Sequence, residues 1–452
     1  MNNLALTQAA VLLKDRDPKG AIDLFNEAIC HWRKDQGISL AAIISEQGDC
    51  EMRLGDLEGA SDSFRLAAEE AERSGEGLAP YYGNRAYAAL ISKDLPAAEE
   101  WAKRALDISP GYDEGIVKLF NAWLHQGEYW KAYVGMQKLL LVADTPQNRQ
   151  GIALMELLLS NMEYDGLLQL GVENFKSRID IFRQTRDFLP VDNPWHGSAS
   201  ELVGKVVNVY LEQGLGDAIM FIPYLMALGK IAKEVNVHDI NDHALGLKYY
   251  DLLGCFEGLS IKLHRRGANR AEGVDVWLFD LLRMGLPGKI VPSNCAQARP
   301  GTPNGKWGIC WRGNPSHGND YWRSMKWAEI KPFIEKNGSK LFCLQANLST
   351  EEADFLGSSG VEIDPNIPDP EHLLDRIKDL SGVVAIDSFI GHLAGVLKIP
   401  TYLMLAVNVD WRWGYSGTRS DWYAAHELVR QRKAGEWRDC LDYVESKLCS
   451  TA

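Results

Sequence analysis

Through roughly the first 180 residues apolar positions recur at helical spacing, as in Ala98, Trp101, Ala102, Ala105 and Leu106. A turn followed by a small residue returns five times: Asp17-Pro18-Lys19-Gly20-Ala21, Gly55-Asp56-Leu57-Glu58-Gly59-Ala60, Asp94-Leu95-Pro96-Ala97-Ala98, Gly127-Glu128-Tyr129-Trp130-Lys131-Ala132 and Tyr164-Asp165-Gly166. From Ala98 to Ala132, and from Ala132 to Gly166, the step is about 34 residues, the length of one helix pair in a stacked array. The earlier steps are longer, and the insert Ser74-Gly75-Glu76-Gly77 sits in a loop between pairs, where extra length is tolerated cheaply. Beyond a Pro/Asn/Gly-rich break the pattern changes to short apolar runs at 205–211, 234–238, 259–263, 275–280, 307–311, 341–345, 383–386 and 400–406, alternating with helix or turn material. That alternation predicts parallel, doubly wound sheets. The expected domains are a helical array over 1–187, a linker at 188–202, one α/β half at 203–302, and a second at 303–452 beyond the joint Arg299-Pro300-Gly301-Thr302-Pro303. The amphipathic tail at 435–448 is expected to cross back to the first half.

Two strand-to-helix turns carry candidate chemistry. The first is Gln213-Gly214-Leu215-Gly216-Asp217, whose glycines permit close approach of a ligand to the backbone. A third glycine at dinucleotide spacing is missing, which argues against hydride transfer. Asp217 reads either as a helix cap, worth about 1 kcal/mol, or as a general base. The second turn is Asp387-Ser388-Phe389-Ile390-Gly391-His392-Leu393-Ala394-Gly395, between two apolar runs. Helix N-termini present unpaired amides and about half a positive charge, so this turn suits a phosphate or diphosphate. Its glycines also fit a turn that only brings helix close to sheet. Six aromatic residues of the array, Tyr81, Tyr82, Tyr87, Trp123, Tyr129 and Trp130, read either as groove-lining or as stack core.

The formal charge of -13 argues against a protein that holds nucleic acid chiefly by its phosphates. None of the eight cysteines falls in a C-x-x-C pair, so zinc and disulfide frameworks are not expected. The first ten residues lack the regions of a signal peptide, and no run reaches the roughly 18 apolar residues of a membrane span. A reducing, cytoplasmic setting is expected.

The repeats resemble the tetratricopeptide family, whose arrays hold peptides or protein segments in a concave groove. Behind them Gly214-Leu215-Gly216-Asp217, Trp311-Arg312-Gly313-Asn314-Pro315, His317, Asn319-Asp320, Arg323-Ser324, Asp387-Ser388 with His392-Leu393-Ala394-Gly395, and Asp410-Trp411-Arg412-Trp413 with Trp422-Tyr423 occur in order. This set resembles the heptosyltransferase-like glycosyltransferase domain over 203–448. The resemblance implies a GT-B pair of Rossmann-like halves, with the nucleotide-sugar donor on the C-terminal one and the acceptor approached from the N-terminal one. It also implies no essential metal and no cofactor, in keeping with a sole D-x-D at Asp15-Arg16-Asp17, inside the helical array.

Carried over, Asp217 matches the catalytic base, while Asp387, Ser388, Gly391 and His392 match the donor motif and Arg323 with Ser324 the pair facing the donor. Lys326 is a further donor candidate, and Gly214, Gly216, Arg312 and Asn314 belong to the acceptor or loop side. Ser388 stands where threonine is usual and Arg312 where a small residue is common. His392 also fits a packed structural role, and the late aromatic cluster either covers sugar or base or packs a hinge. The expected activity is inverting sugar transfer to an acceptor hydroxyl, with a protein or peptide recruited by the repeats. The alternatives are a glycan, lipid-linked sugar or modified nucleic-acid base as acceptor, or a non-catalytic scaffold with a degenerate GT-B domain.

Overall fold

The computed structural model describes residues 3–33, 37–160, 165–185, 195–212, 214–240, 244–285, 303–315, 317 and 319–450. Tyr164, Gln213, Cys295, Ser316, Gly318, the linker before Trp195 and the joint before Pro303 lie outside the described residues. The chain divides into two compact units, Met1–Ile152 and Ala153–Ala452. No helix among the described residues is long and apolar enough to cross a membrane.

In the first unit α1 (Asn3–Leu13) pairs with α2 (Pro18–Cys30), α3 (Leu40–Leu54) with α4 (Leu57–Ser74), α5 (Ala79–Ile91) with α6 (Leu95–Ile108), and α7 (Asp113–His125) with α8 (Tyr129–Val142). This is a tetratricopeptide-like array, and its recurring turn has one local cause. Asp17, Asp56 and Asp94 each cap the second helix of a pair, accepting the amides of Gly20 at 3.0 Å, Gly59 at 3.0 Å and Ala97 at 3.2 Å. Four residues past each cap Ala21, Ala60 and Ala98 are fully buried, as is Ala132 in the fourth pair, because paired helices cross closely there. Gly55, Lys93 and Gly127 hold equivalent left-handed positions before the second helix, at φ 78°, 61° and 78°. Glycine suits that conformation and lysine is strained in it.

The six aromatic residues named above are half-buried, apart from the exposed Trp130. Tyr81 donates to Glu76 at 3.0 Å, and the Trp123 indole to Glu99 at 3.0 Å. Tyr82 packs on Trp101, and Tyr87 lies under the Lys118 ammonium. Tyr82, Tyr87 and Trp123 thus lie at seams between helices of the array, whereas Trp130 packs on Tyr133 of its own helix.

A ninth helix, α9 (Pro146–Ser160), carries the boundary between units, and α10 (Asp165–Asn174) and α11 (Arg178–Thr185) follow in the second. Among the described residues two all-parallel sheets follow, each with its own helices. The first contains β1 (Val206–Leu211), β2 (Glu234–Asp239), β3 (Ile261–His264) and β4 (Val274–Trp277) in the order β3-β2-β1-β4. After β1 come α12 (Leu215–Met220) and α13 (Ile222–Ile231), and after β2 comes α14 (Ala244–Leu253). The strand expected at 275–280 ends at Trp277, and Leu278–Met284 is a 3-10 helix. The connection 265–273 runs from one edge of the sheet to the other without a helix. A bare strap over a sheet needs hydrogen-bond partners, which explains the polar residues within β1 and β4. Asn208 donates to the Ala271 carbonyl at 2.9 Å and to Asp275 at 3.0 Å; Asp275 also accepts from Tyr210 and pairs with Arg270.

The second sheet contains β5 (Trp307–Cys310), β6 (Leu341–Cys343), β7 (Gly382–Ile386), β8 (Thr401–Leu405) and β9 (His426–Arg430), in the order β6-β5-β7-β8-β9. Its helices are α15 (Asp320–Arg323), α16 (Trp327–Asn337), α17 (Thr350–Ser358), α18 (Pro370–Lys378), α19 (Phe389–Val396) and α20 (Arg438–Ser450). The tail does not return to the first half. Cys440, Leu441, Val444 and Leu448 of α20 enter the core with Ile309, Phe333 and Met404 of the second sheet and its helices, because that is where its apolar stripe is buried.

Ala98→Leu should overpack the α5–α6 crossing and destabilise the array by about 1–3 kcal/mol. Lys93→Gly, which relieves the left-handed lysine, should be neutral or stabilising. Chemical denaturation of the two variants checks both, and Ala98→Leu unfolding at the wild-type midpoint would contradict the close crossing.

Candidate functional site

In an open parallel sheet ligands bind where the strand order reverses, at the C-terminal ends of the two diverging strands. For the second sheet that place lies between β5 and β7. The loop after β5 is held by the Gln345 side chain, whose oxygen accepts from the amides of Trp311 at 3.1 Å and Arg312 at 2.9 Å. The Arg312 guanidinium is committed elsewhere, donating to both oxygens of the buried Glu352 at 2.6 and 3.0 Å. Ser324 also works for the loop, accepting from the Gly313 amide at 2.9 Å and donating to Asp320 at 2.9 Å. Ser324, expected to face the donor, and Arg312, expected on the acceptor or loop side, both hold this loop, because a loop this polar must satisfy its own buried groups.

Arg323 keeps its capacity. It spends Nε on Asp320 at 3.1 Å, and its side chain is 14% exposed. Gly313 is required beside it, since a Cβ there would meet Asp320 Oδ1 at 2.5 Å and Arg323 Nη2 at 2.7 Å. Asn314 is exposed on the same loop, where its carbonyl accepts the His317 amide at 3.0 Å. Lys326 is exposed before α16 and has no side-chain hydrogen bond or ion pair among the described residues.

The strand β7 delivers Asp387 and Ser388 to the start of α19. Of the first amides of that helix, Gly391 and His392 donate to the Ser388 carbonyl at 3.0 and 3.4 Å. Those of Phe389 and Ile390 have no acceptor among the described residues. Gly391 serves packing, since a Cβ would lie 2.8 Å from Leu403 Cδ1 of β8. Burial, and then the Asp410 carboxylate, push Asp387 up to about 6 against the pull of Arg323.

Asp217 lies in the first turn of α12. Its Oδ2 accepts the Gly214 amide at 3.1 Å, so it reaches back to the residue that precedes the helix and does not cap the amides after it. Its Oδ1 accepts from Nη2 of Arg412, in the 3-10 turn Trp411–Trp413. Arg412 Nη1 donates to Asp410 at 2.6 Å. Burial raises Asp217, Arg412 opposes this, and Asp410 adds to it. Burial works against the charge on Arg412, but Asp217, Asp410 and Asp387 outweigh it and raise its pKa. One guanidinium thus gathers carboxylates from three chain segments.

The two glycine turns are in contact. A Cβ on Gly216 would come within 2.9 Å of His392 Cδ2, so this glycine lets the two turns meet. His392 is a packed residue: buried, stacked on Trp413 at 5.2 Å, and hydrogen-bonded through Nδ1 to the Tyr423 hydroxyl at 3.0 Å. Burial, with Arg412, His426 and Arg323 nearby, holds it well below the usual imidazole range, so it is neutral at pH 7. The late aromatic cluster is packing as well. Trp411, Trp413, Trp422 and Tyr423 are all buried, and Trp422 packs on Phe221 and Tyr224 of the first half.

The reversal point of the first sheet, between β1 and β4, carries a cluster that the sequence reading missed. Glu212 follows β1 and Asp280 follows β4, and the buried Arg178 of α11 fills the gap between them. Its Nε and Nη2 reach Glu212 at 2.9 and 3.1 Å and Nη2 reaches Asp280 at 3.1 Å, while Glu212 also accepts the Phe279 amide at 2.9 Å. The crevice that would take a ligand is closed by the chain's own cation.

Asp387 ties the stability of this fold to pH. Because its folded pKa lies above the unfolded value near 4, the folded state holds this proton more tightly between pH 4 and 6. Ionisation at neutral pH therefore costs stability, on the order of 3 kcal/mol. Asp387→Asn should raise the melting temperature at pH 7.5, with the gain shrinking towards zero near pH 4; a gain that does not vary with pH would contradict the raised carboxyl.

No family model matches the chain, and no curated protein does. Among solved structures, the chain is 19% identical to MamA, over 38% of this chain and 92% of MamA, at a TM-score of 0.30. It is 17% identical to the thermophilic TPR protein TTC0263 of Thermus thermophilus, over 40% of this chain and 96% of that one, at 0.32. For a tetratricopeptide repeat protein of Parabacteroides merdae the values are 16%, 40%, 73% and 0.33. These are likenesses to helical-repeat proteins at low TM-scores, and the array described above stands on its own caps and crossings.

Proposed function

We propose that the second unit is a metal-independent, inverting glycosyltransferase of GT-B type, working on an acceptor recruited through the helical array, with a protein or peptide as the favoured class. The observation that carries this reading is the meeting of the two glycine turns. They bring a carboxylate, Asp217, beside the start of α19, where Asp387 and His392 have the cation Arg323 nearby, at the reversal point of the second parallel sheet. A helix start and an arginine receive a leaving diphosphate, and a carboxylate receives a proton.

In the proposed step the acceptor hydroxyl gives its proton to Asp217 as its oxygen bonds to the anomeric carbon. The bond from that carbon to the donor diphosphate breaks, and its electron pair leaves on the phosphate oxygen. The growing charge falls on the amides of Phe389 and Ile390, on Arg323, and on Lys326 if that exposed side chain swings in. The second reading, a protein-binding scaffold whose sheets transfer nothing, draws support from the hold of Arg412 on Asp217.

Titrating the protein with UDP, GDP, ADP, CDP and dTDP, without added metal, tests the donor site. One of them should stabilise the fold, by about 2.7 kcal/mol at 100 times its dissociation constant. Silence across all five at millimolar concentration would favour the scaffold. Arg323→Ala should weaken the bound diphosphate about 10- to 100-fold, the worth of a hydrogen bond to a charged group. Binding at wild-type strength would remove Arg323 from the donor site.

A further inference from the structure

As it stands Asp217 is poorly placed to take a proton. One carboxylate oxygen accepts the Gly214 amide and the other accepts from Arg412. Arg412, in turn, is not settled. Its side chain is 13% exposed, it donates to Asp410 and Asp217, and its buried Nε has no acceptor among the described residues. Around it stand Asp217, Asp410, Asp387 and Arg323, with the neutral His392 and with His317 beyond. Three carboxylates compete for it. A planar guanidinium with spare donors is the group best suited to grip a diphosphate through two oxygens at once.

We propose that Arg412 is an exchangeable counter-ion, held by Asp217 while the site is empty and drawn onto the donor diphosphate when that binds, so that Asp217 is freed as a base only in the donor complex. The inference rests on the transferase reading above. Arg412 is a positioning residue for the base and a ligand of the donor. The exchange makes binding ordered, donor before acceptor, and keeps the base capped while there is no sugar to transfer. Its physical basis is competition: each contact that Arg412 makes with Asp217 must be given up before it serves the diphosphate, so the carboxylate opposes donor binding through this one cation.

Calorimetric titration of full-length protein at pH 7.5 tests this, with whichever of the five nucleoside diphosphates binds wild type, and with inorganic pyrophosphate beside it. Asp217→Asn keeps an acceptor for the Gly214 amide but releases Arg412, and should bind the nucleotide about three- to tenfold tighter than wild type. Arg412→Gln should bind about tenfold weaker. In the Arg412→Gln background, adding Asp217→Asn should change affinity by less than twofold. In an Arg323→Ala background the gain from Asp217→Asn should persist.

If Asp217→Asn binds no tighter than wild type, the exchange is refuted while the donor site stands. A gain of equal size with and without Arg412 also refutes it, since the gain would then be only the loss of one negative charge. If Arg412→Gln does not fold, Arg412→Lys replaces it in the cycle, and the gain must then fall by at least half. If none of the five binds wild type, the donor site and the exchange fall together.

Discussion

A charge buried in protein must be answered by an opposite charge close by, and the second unit is arranged around two places where this demand is met. Both lie beyond the C-terminal ends of parallel strands, and both centre on an arginine. Arg178 is enclosed by Glu212 and Asp280 with good hydrogen-bond geometry, and it ties α11 to the ends of β1 and β4. Arg412 is surrounded just as closely but keeps an unanswered Nε and one carboxylate too many. The first cluster is structural, although Asp280 Oδ2 is buried there without a hydrogen-bond partner among the described residues. The second is the one whose partners have reason to change.

Close approach sets the rest of the site. Gly216 lets α12 lie against His392, Gly313 leaves room for Arg323 and Asp320, and Gly391 lets α19 settle onto β8. The aromatic residues behind these contacts are buried and pack α12 and α13 against the Trp411–Tyr423 region. Position at the candidate site is therefore fixed by packing, and the charged groups left at its edge are Asp217, Arg323, Asp387 and Arg412.

Much of the fold was legible because its causes are local. The capped turns at Asp17, Asp56 and Asp94 and the apolar runs of β1, β2, β5, β7 and β8 each announce themselves within a few residues. The turns at Asp217 and Asp387 were legible for the same reason. The partnerships were not. Arg178 and Glu212 are 34 positions apart and Asp217 and Arg412 are 195 apart, and no periodicity links such pairs. Arg312 and Ser324 looked available in the motif but are occupied by Glu352, Gly313 and Asp320, which only the folded loop reveals. A sequence signal for Arg412 did exist: an arginine between two tryptophans, preceded by an aspartate, is a cation placed in a dry setting and hence short of partners.

The strap at 265–273 bears on how this protein tolerates change. Where a helix would have covered the sheet with aliphatic side chains, a length of bare backbone is moored to Asn208, and to Asp275 through Arg270. Within β1 the asparagine reads as a flaw in a valine-rich strand, and an engineer seeking a more stable protein would replace it with valine. That replacement would cut the mooring of the connection between two strands on opposite edges of the sheet, so in this half of the fold the polar residues hold the topology and added oiliness would loosen it.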